Sequence, residues 1–188
     1  MQASDLPSLL RYDPETGKLF WLYRTPEMFS DGATYDAAEC CRRFNRTWAG
    51  KEAFTALCKG RYRQGTIWLQ RIEAHRVIWA LVYGEWPQGD IDHINGDGLD
   101  NRLGNLRLCR HAENMRNMKI QSGRASAFKG VSPSRQDGKW RAHIKIDGRH
   151  VHLGTFADEE AAARAYDDAA SKYHGPFGRP NFPMEKSA

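Results

Sequence analysis

The sequence predicts an α+β fold class, and three observations carry that expectation. Residues 74–83 space Val77, Ile78, Leu81 and Val82 as the buried face of a helix. Residues 89–120 read in the order strand, loop, strand, helix. Residues 139–146 alternate strictly, with basic or His side chains at odd positions and apolar ones at even positions; this is a half-buried strand with one cationic face. The expected organisation is a small N-terminal α+β unit over 1–88, a compact module over 89–120, a polar linker over 121–127, a sheet-and-helix module over 128–183 and a tail over 184–188.

Composition bounds the classes available. The 188 residues are 40% hydrophobic and 27% charged, ordinary for a globular chain and against disorder. No apolar run reaches membrane-spanning length, and Met1–Arg11 lacks the basic and apolar pattern of a secretory signal, so a cytoplasmic location is expected. Cys40, Cys41, Cys58 and Cys109 contain no C-x-x-C pair; reduced, mostly buried thiols are expected rather than a zinc site. The net charge of +5 permits a polyanionic partner without demanding one.

In the first segment, Ser4 or Asp5 is a candidate cap for a short helix through Leu10. Tyr12 to Gly17 reads as a turn, and Lys18 to Tyr23 as a strand. The stretch 26–48 is ambiguous, with Asp36 to Phe44 helix-compatible; strands are expected near 52–58 and 66–72. The helix over 74–83 stops at Gly84. A scaffold or a DNA-clamping arm fits this segment, with Arg42-Arg43-Phe44-Asn45-Arg46 either touching DNA or simply solvated.

In the second segment, Asp90 to Ile94 is a short β-like run, Asn95-Gly96-Asp97-Gly98 is turn chemistry, Asn105 to Cys109 is a second strand and His111 to Lys119 a helix. In the third, Asp147-Gly148 marks a hairpin, His150 to Leu153 continues the alternation, and Asp158 caps a helix to His174 whose alanines suit close packing on a sheet. Charge separates by face: residues 128–153 carry six Lys or Arg against two Asp, and residues 157–174 two against five Asp or Glu. A basic sheet backed by an acidic helix points to nucleic acid.

Phosphodiester hydrolysis needs a base for water, a divalent cation to polarise the phosphate and a scaffold holding both. Asp92 and His93 offer a carboxylate and an imidazole on adjacent strand residues. His111, Asn114 and Asn117 share one helix face, and the amide oxygens of the two asparagines suit a hard cation.

Asp92-His93-Ile94-Asn95-Gly96-Asp97, Asp100-Asn101-Arg102, Asn105-Leu106-Arg107, Glu113-Asn114 and Arg116-Asn117, with His75-Arg76 and Gly84-Glu85-Trp86-Pro87 leading in, resemble the HNH endonucleases, and more closely their phage and intron-encoded homing branch. The resemblance implies a ββα-metal core around one divalent ion. Asp92 and Asn114 would be its ligands, His93 the general base, and Asn105 the brace of the loop between the strands. His111 and Asn117 would sit near the metal or on phosphate. The helical position 114 is Asn rather than His, which favours Mg²⁺ or Mn²⁺ over Zn²⁺.

Phe128-Lys129-Gly130-Val131, Gly138-Lys139-Trp140-Arg141-Ala142, Leu153-Gly154-Thr155-Phe156, Glu160-Ala161-Ala162, Ala165-Tyr166-Asp167 and Asn181-Phe182-Pro183 resemble the APETALA/ethylene-response DNA-binding domain. That resemblance implies a three-stranded antiparallel sheet packed on one helix, with the sheet in the major groove. Lys129, Arg135, Arg141, His143, Lys145, His150 and His152 would face DNA, and Trp140 would pack in the core. Ser132 and Ser134, with His150 and His152, replace residues of the plant pattern, so the docking mode carries over and the sequence preference does not.

The expected activity is therefore metal-dependent cleavage of double-stranded DNA by a monomer, encoded by a phage or mobile element, with no membrane or small-molecule partner. The alternative is a sequence-specific DNA-binding regulator on an inactive nuclease scaffold. RNA binding is a third reading, disfavoured because the sheet lacks exposed aromatic pairs for stacking single-stranded bases.

Overall fold

The computed structural model describes residues 1–120 and 125–182; residues 121–124 of the expected linker, and 183–188 with the expected tail, lie outside them. The chain divides into two compact units, Met1–Cys109 and Arg110–Ala188.

The first unit opens with a 3₁₀ turn at Ala3–Asp5 and a one-turn helix α1 (Leu6–Leu9), followed by β1 (Leu10–Asp13), β2 (Lys18–Trp21), α2 (Ala37–Thr47), β3 (Glu52–Ala53), β4 (Ala56–Cys58), β5 (Tyr62–Ile67), β6 (Gln70–Glu73), α3 (Ala74–Tyr83), β7 (Asp90–His93) and β8 (Leu106–Cys109). Asp5 does stand at the N-cap of α1, but its carboxylate turns back to accept from the Gln2 N–H (2.8 Å) instead of capping the helix. Leu10 leaves the helix to begin β1. The Asp13 carboxylate closes the β1–β2 turn by accepting from Thr16 Oγ1 (2.7 Å) and Glu15 N–H (3.1 Å). Asp36 caps α2 through Glu39 N–H (2.7 Å), which resolves the ambiguous stretch into a helix longer than expected.

The two strands expected over 52–58 and 66–72 are four. Phe54, at φ 59°, breaks the run between β3 and β4, and Trp68-Leu69, both at positive φ, turn the chain between β5 and β6. The sheets run β1-β2-β3 and β4-β5-β6, with β7 and β8 as a separate antiparallel pair. Gly84 ends α3 at φ 76°. Val77 and Ile78 are fully buried and Leu81 partly, whereas Val82, in the last turn, is exposed. One core joins Leu6, Leu9, Leu10, Leu19, Phe54, Ile67, Val77 and Ile78 to Ile91 and Leu106, so it takes residues from both sides of residue 88. The cysteines are free thiols, Cys41 and Cys109 buried.

The second unit contains α4 (His111–Asn117), β9 (Val131–Pro133), β10 (Trp140–Ile146), β11 (Arg149–Phe156) and α5 (Glu159–His174). The three strands form an antiparallel sheet in the order β9-β10-β11, packed on α5. Ala162, Ala163, Ala169 and Ala170 are buried, so the helix backbone lies close over Val131, Ala142 and Ile144. Asp158 caps α5 by accepting from Glu160 N–H (2.8 Å) and Ala161 N–H (3.3 Å). Gly130 is required twice over: its φ is 75°, and a Cβ there would lie 2.0 Å from the Tyr166 ring. The Asn181 side chain clamps the Lys129 backbone at both its N–H and its carbonyl, and the Asp167 carboxylate holds Asn181 and Phe182 by their N–H groups.

Candidate functional site

The β7–β8 register sets Asp92 opposite Arg107 and His93 opposite Leu106. Cross-strand partners lie within side-chain reach, so an acid facing an arginine forms a pair. The Arg107 guanidinium donates from Nε (2.8 Å) and Nη2 (2.6 Å), both to Asp92 Oδ2. Asp92 is only 3% exposed, so this carboxylate is desolvated and held by a charge-assisted bond.

The loop from β7 to β8 is built by side chains bonding to backbone. Asn105 Oδ1 accepts from Asn95 N–H (2.9 Å), and Asn105 Nδ2 donates to the Asp100 carbonyl (2.8 Å) and Asn95 Oδ1 (3.1 Å). Asp97 turns the chain by accepting from Leu99 N–H. Arg102 grips both oxygens of Asp100, with Asn95 Nδ2 adding a third bond; the arginine holds that carboxyl at about 2. The loop presses against the start of β5 at Gly98, where a Cβ would lie 2.6 Å from the Tyr62 ring. Tyr12 of β1 bridges it from below, donating to the Asn101 carbonyl (3.2 Å) and accepting from Leu103 N–H (2.9 Å).

His93 is 5% exposed, and Asn101, His75 and Tyr62 pack around its ring. Its Nε2 lies 3.0 Å from Oδ1 of the buried Asn101. The His75 ring of α3 meets it edge-on at 5.1 Å, and Tyr62 of β5 lies tilted at 5.7 Å. Burial lowers the His93 pKa, opposed by the hydrogen bond to Asn101. Burial lowers that of His75 further, to about 3, with His93 and Arg76 adding repulsion. Both rings are therefore neutral at neutral pH. His75 Nδ1 and Asn101 Nδ2 are buried without hydrogen-bond partners among the described residues.

Asp92, His93 and Asn105 are thus gathered in the first unit, whereas His111, Asn114 and Asn117 lie on α4 of the second, exposed, half-buried and buried in turn. Sequence reasoning gave no role to Arg107, Asn101, His75 or Tyr62. Arg107 was recoverable from strand register alone; the other three converge from separate elements. Among the described residues no three His, Cys, Asp or Glu gather as a metal cluster. The oxygen donors available are a carboxylate and amides, which suit a hard cation better than a soft one.

On the sheet of the second unit, Arg141 pairs with Thr155, His143 with His152 and Lys145 with His150, and a register shift follows Ala142. Arg135, Arg141, Lys145, His150 and His152 are exposed and His143 half-buried. Lys129 is used differently: its ammonium donates to the Arg116 carbonyl and, at 2.9 Å, to the Met118 carbonyl. It closes the end of α4, and burial lowers its pKa to about 8. The carbonyls of a helix end attract an ammonium as phosphates would, so Lys129 has a partner within the protein besides the DNA expected for it. Trp140 packs in the core beside Val131, Ala142 and Phe156.

The HNH endonuclease family model matches residues 73–116, covering α3 through most of α4. The AP2 domain model matches residues 126–176. Protein 3.8 of Escherichia phage T7 is 34% identical over 106 residues, covering 56% of this chain and 87% of the phage protein. The chain belongs to the HNH endonuclease family, with an AP2 domain fused behind the HNH module. In the AP2 region, an AP2/ERF and B3 domain-containing protein of Oryza sativa subsp. japonica is 52% identical over 59 residues, 31% of this chain and 16% of that protein. An AP2-like ethylene-responsive transcription factor of Arabidopsis thaliana is 44% identical over 71 residues, 32% and 17% of the two chains. The chain spans about a sixth of the length of those plant relatives. Among the described residues no helix is long and apolar enough to cross a membrane.

Proposed function

We propose that the HNH module is an active, metal-dependent endonuclease and that the AP2 sheet holds it on double-stranded DNA. The observation that carries this reading is the His93–Asn101 pair. An amide oxygen accepts only, so Nε2 carries the ring proton and the lone pair of the neutral imidazole sits on Nδ1. Burial keeps the ring unprotonated at neutral pH, and Asn101, His75 and Tyr62 fix its plane. In this reading Nδ1 takes a proton from water as its oxygen attacks phosphorus and the bond to the leaving oxygen breaks. Asp92 and Asn114 would hold one Mg²⁺ or Mn²⁺, with His111 and Asn117 near it or on phosphate. The bound cation supplies polarisation of the phosphate and stabilisation of the leaving oxygen. Arg107 orients the Asp92 carboxylate, and Asn105 braces the loop carrying Asn101. Lys129, Arg135, Arg141, His143, Lys145, His150 and His152 would meet the duplex, in the cytoplasm of a host cell.

One observation favours a second reading, a DNA-binding regulator on an inactive scaffold. Arg107 Nε and Nη2 each donate to Asp92 Oδ2, so a cation there competes with a guanidinium. Supercoiled plasmid with Mg²⁺ or Mn²⁺ separates the two. Nicked or linear product, abolished by EDTA and cut at least ~100-fold by His93→Ala with DNA affinity retained, is the expected result. Tight binding without metal-dependent cleavage would establish the regulator instead.

A further inference from the structure

The first unit makes the β4-β5-β6 sheet, and its β5–β6 hairpin is built against local preference. Ile67 pairs with Gln70, leaving a two-residue loop of Trp68 (φ 46°) and Leu69 (φ 65°). Positive φ at both loop positions selects Asn-Gly or Asp-Gly in ordinary hairpins, because large side chains are strained there. The same chain uses the favoured residues elsewhere. The β10–β11 hairpin turns on Asp147-Gly148 (φ 47° and 82°) between the partners Ile146 and Arg149. At the β5–β6 tip the strained positions hold two large apolar side chains, Leu69 98% exposed and Trp68 51%. Folding gains nothing from an exposed leucine in a strained conformation, so the arrangement points outward, to a partner.

The surroundings identify that partner's chemistry. Residues 59–71 include Lys59, Arg61, Arg63 and Arg71 and not one Asp or Glu. Lys59, Arg61 and Arg71 are exposed, while Arg63 is paired with Glu52 at 2.9 Å. A β-hairpin with an apolar tip and basic flanks matches duplex DNA: cations meet the phosphates, and the tip has an apolar place to go only between base pairs. We propose that Trp68-Leu69 is a wedge that inserts at a base step, with Arg71 and the 59–61 turn on the adjoining backbone. The inference rests on double-stranded DNA being the substrate and does not depend on the nuclease being active. It gives the N-terminal segment a task, deforming the duplex, that neither the HNH module nor the AP2 sheet performs.

The test uses the full-length chain and its Trp68→Asn/Leu69→Gly double variant, which installs the favoured turn. Relaxed plasmid is treated with a metal-independent type IB topoisomerase in EDTA, so cleavage is silent, and the change in linking number per bound protein is measured. Affinity for a labelled duplex of random sequence and the melting temperature are read alongside. The parent should lower the linking number. The variant should lose that effect, bind about tenfold or more weakly, and melt a few degrees higher because the strain is relieved. A variant that unwinds and binds like the parent overturns the wedge. So does a variant that loses a self-associated species while binding DNA unchanged, which would make a second copy the partner of the tip. Unwinding without metal-dependent cleavage would sink the nuclease reading and leave the wedge standing; cleavage without unwinding would do the reverse.

Discussion

His93 combines two demands that pull against each other, a dry pocket and a basic nitrogen. Burial lowers its pKa, and the bond to Asn101 partly restores it. Replacing Asn101 with Leu keeps the volume and removes that bond, so the His93 pKa falls further. The acid limb of kcat/KM should shift to lower pH, and kcat should fall roughly 10- to 100-fold as the ring loses its tautomer and orientation. An unchanged pH profile would remove Asn101 from the mechanism. The same variant removes the unpaired Asn101 Nδ2 but leaves the buried His93 Nε2–H without its acceptor, so it should be less stable than the parent by about 1 kcal/mol. His75 carries a different consequence. Its folded pKa is about 3, below the ordinary 6.5 of an unfolded histidine, so the unfolded state binds its proton first on acidification. The stability this adds is complete above pH 6.5 and is lost as pH falls toward 3. Urea midpoints measured across that window should decline in the parent and flatten in His75→Gln.

The second unit has positions where the backbone demands a particular residue. Gly130 is the sharpest case, because its φ of 75° and its approach to Tyr166 exclude any Cβ. Gly130→Ala should destabilise the sheet-and-helix fold by about 2 kcal/mol or more, from backbone strain plus overpacking. Chemical denaturation followed by circular dichroism checks it, with Gly138→Ala as a companion, since Gly138 also has positive φ but open space around it. A smaller loss at 138 than at 130 is the expected order. The alternation over 139–146 made β10 legible from sequence, and the observed burial follows it except at His143, which is half-buried like Trp140 and Ile146. The β5–β6 turn was not legible, because Trp-Leu carries no turn chemistry and only the pairing of Ile67 with Gln70 forces it.

At the scale of the whole molecule, the proposed division of labour separates binding from chemistry. Arg141 and Lys145 stand exposed on one face of β10, and the His93 pocket belongs to the other unit. Arg141→Ala/Lys145→Ala should therefore raise KM and leave kcat nearly unchanged. Two lost phosphate contacts should also flatten the plot of log affinity against log salt by about two units of slope. Binding titrations from 50 to 200 mM salt read the slope, at about the range where such contacts matter most. A fall in kcat with KM unchanged would mean that the sheet acts in the chemical step. Tethering alone accounts for the expected pattern, since a docked sheet raises the local concentration of the HNH module on its substrate.

The sequence by itself determined the α+β class, the α3 helix and its glycine stop, the paired strands around Asp92-His93 and the cationic alternation of the AP2 sheet. All of these are written in local periodicity, turn residues and contiguous motifs. Only the tertiary structure decided the rest. The His93 pocket draws Asn101 from a loop, His75 from α3 and Tyr62 from β5. The Lys129 ammonium meets helix-end carbonyls because the fold brings them within its reach. Such assignments depend on distances between segments remote in the chain, where burial and competing partners, rather than residue type, set what a side chain does.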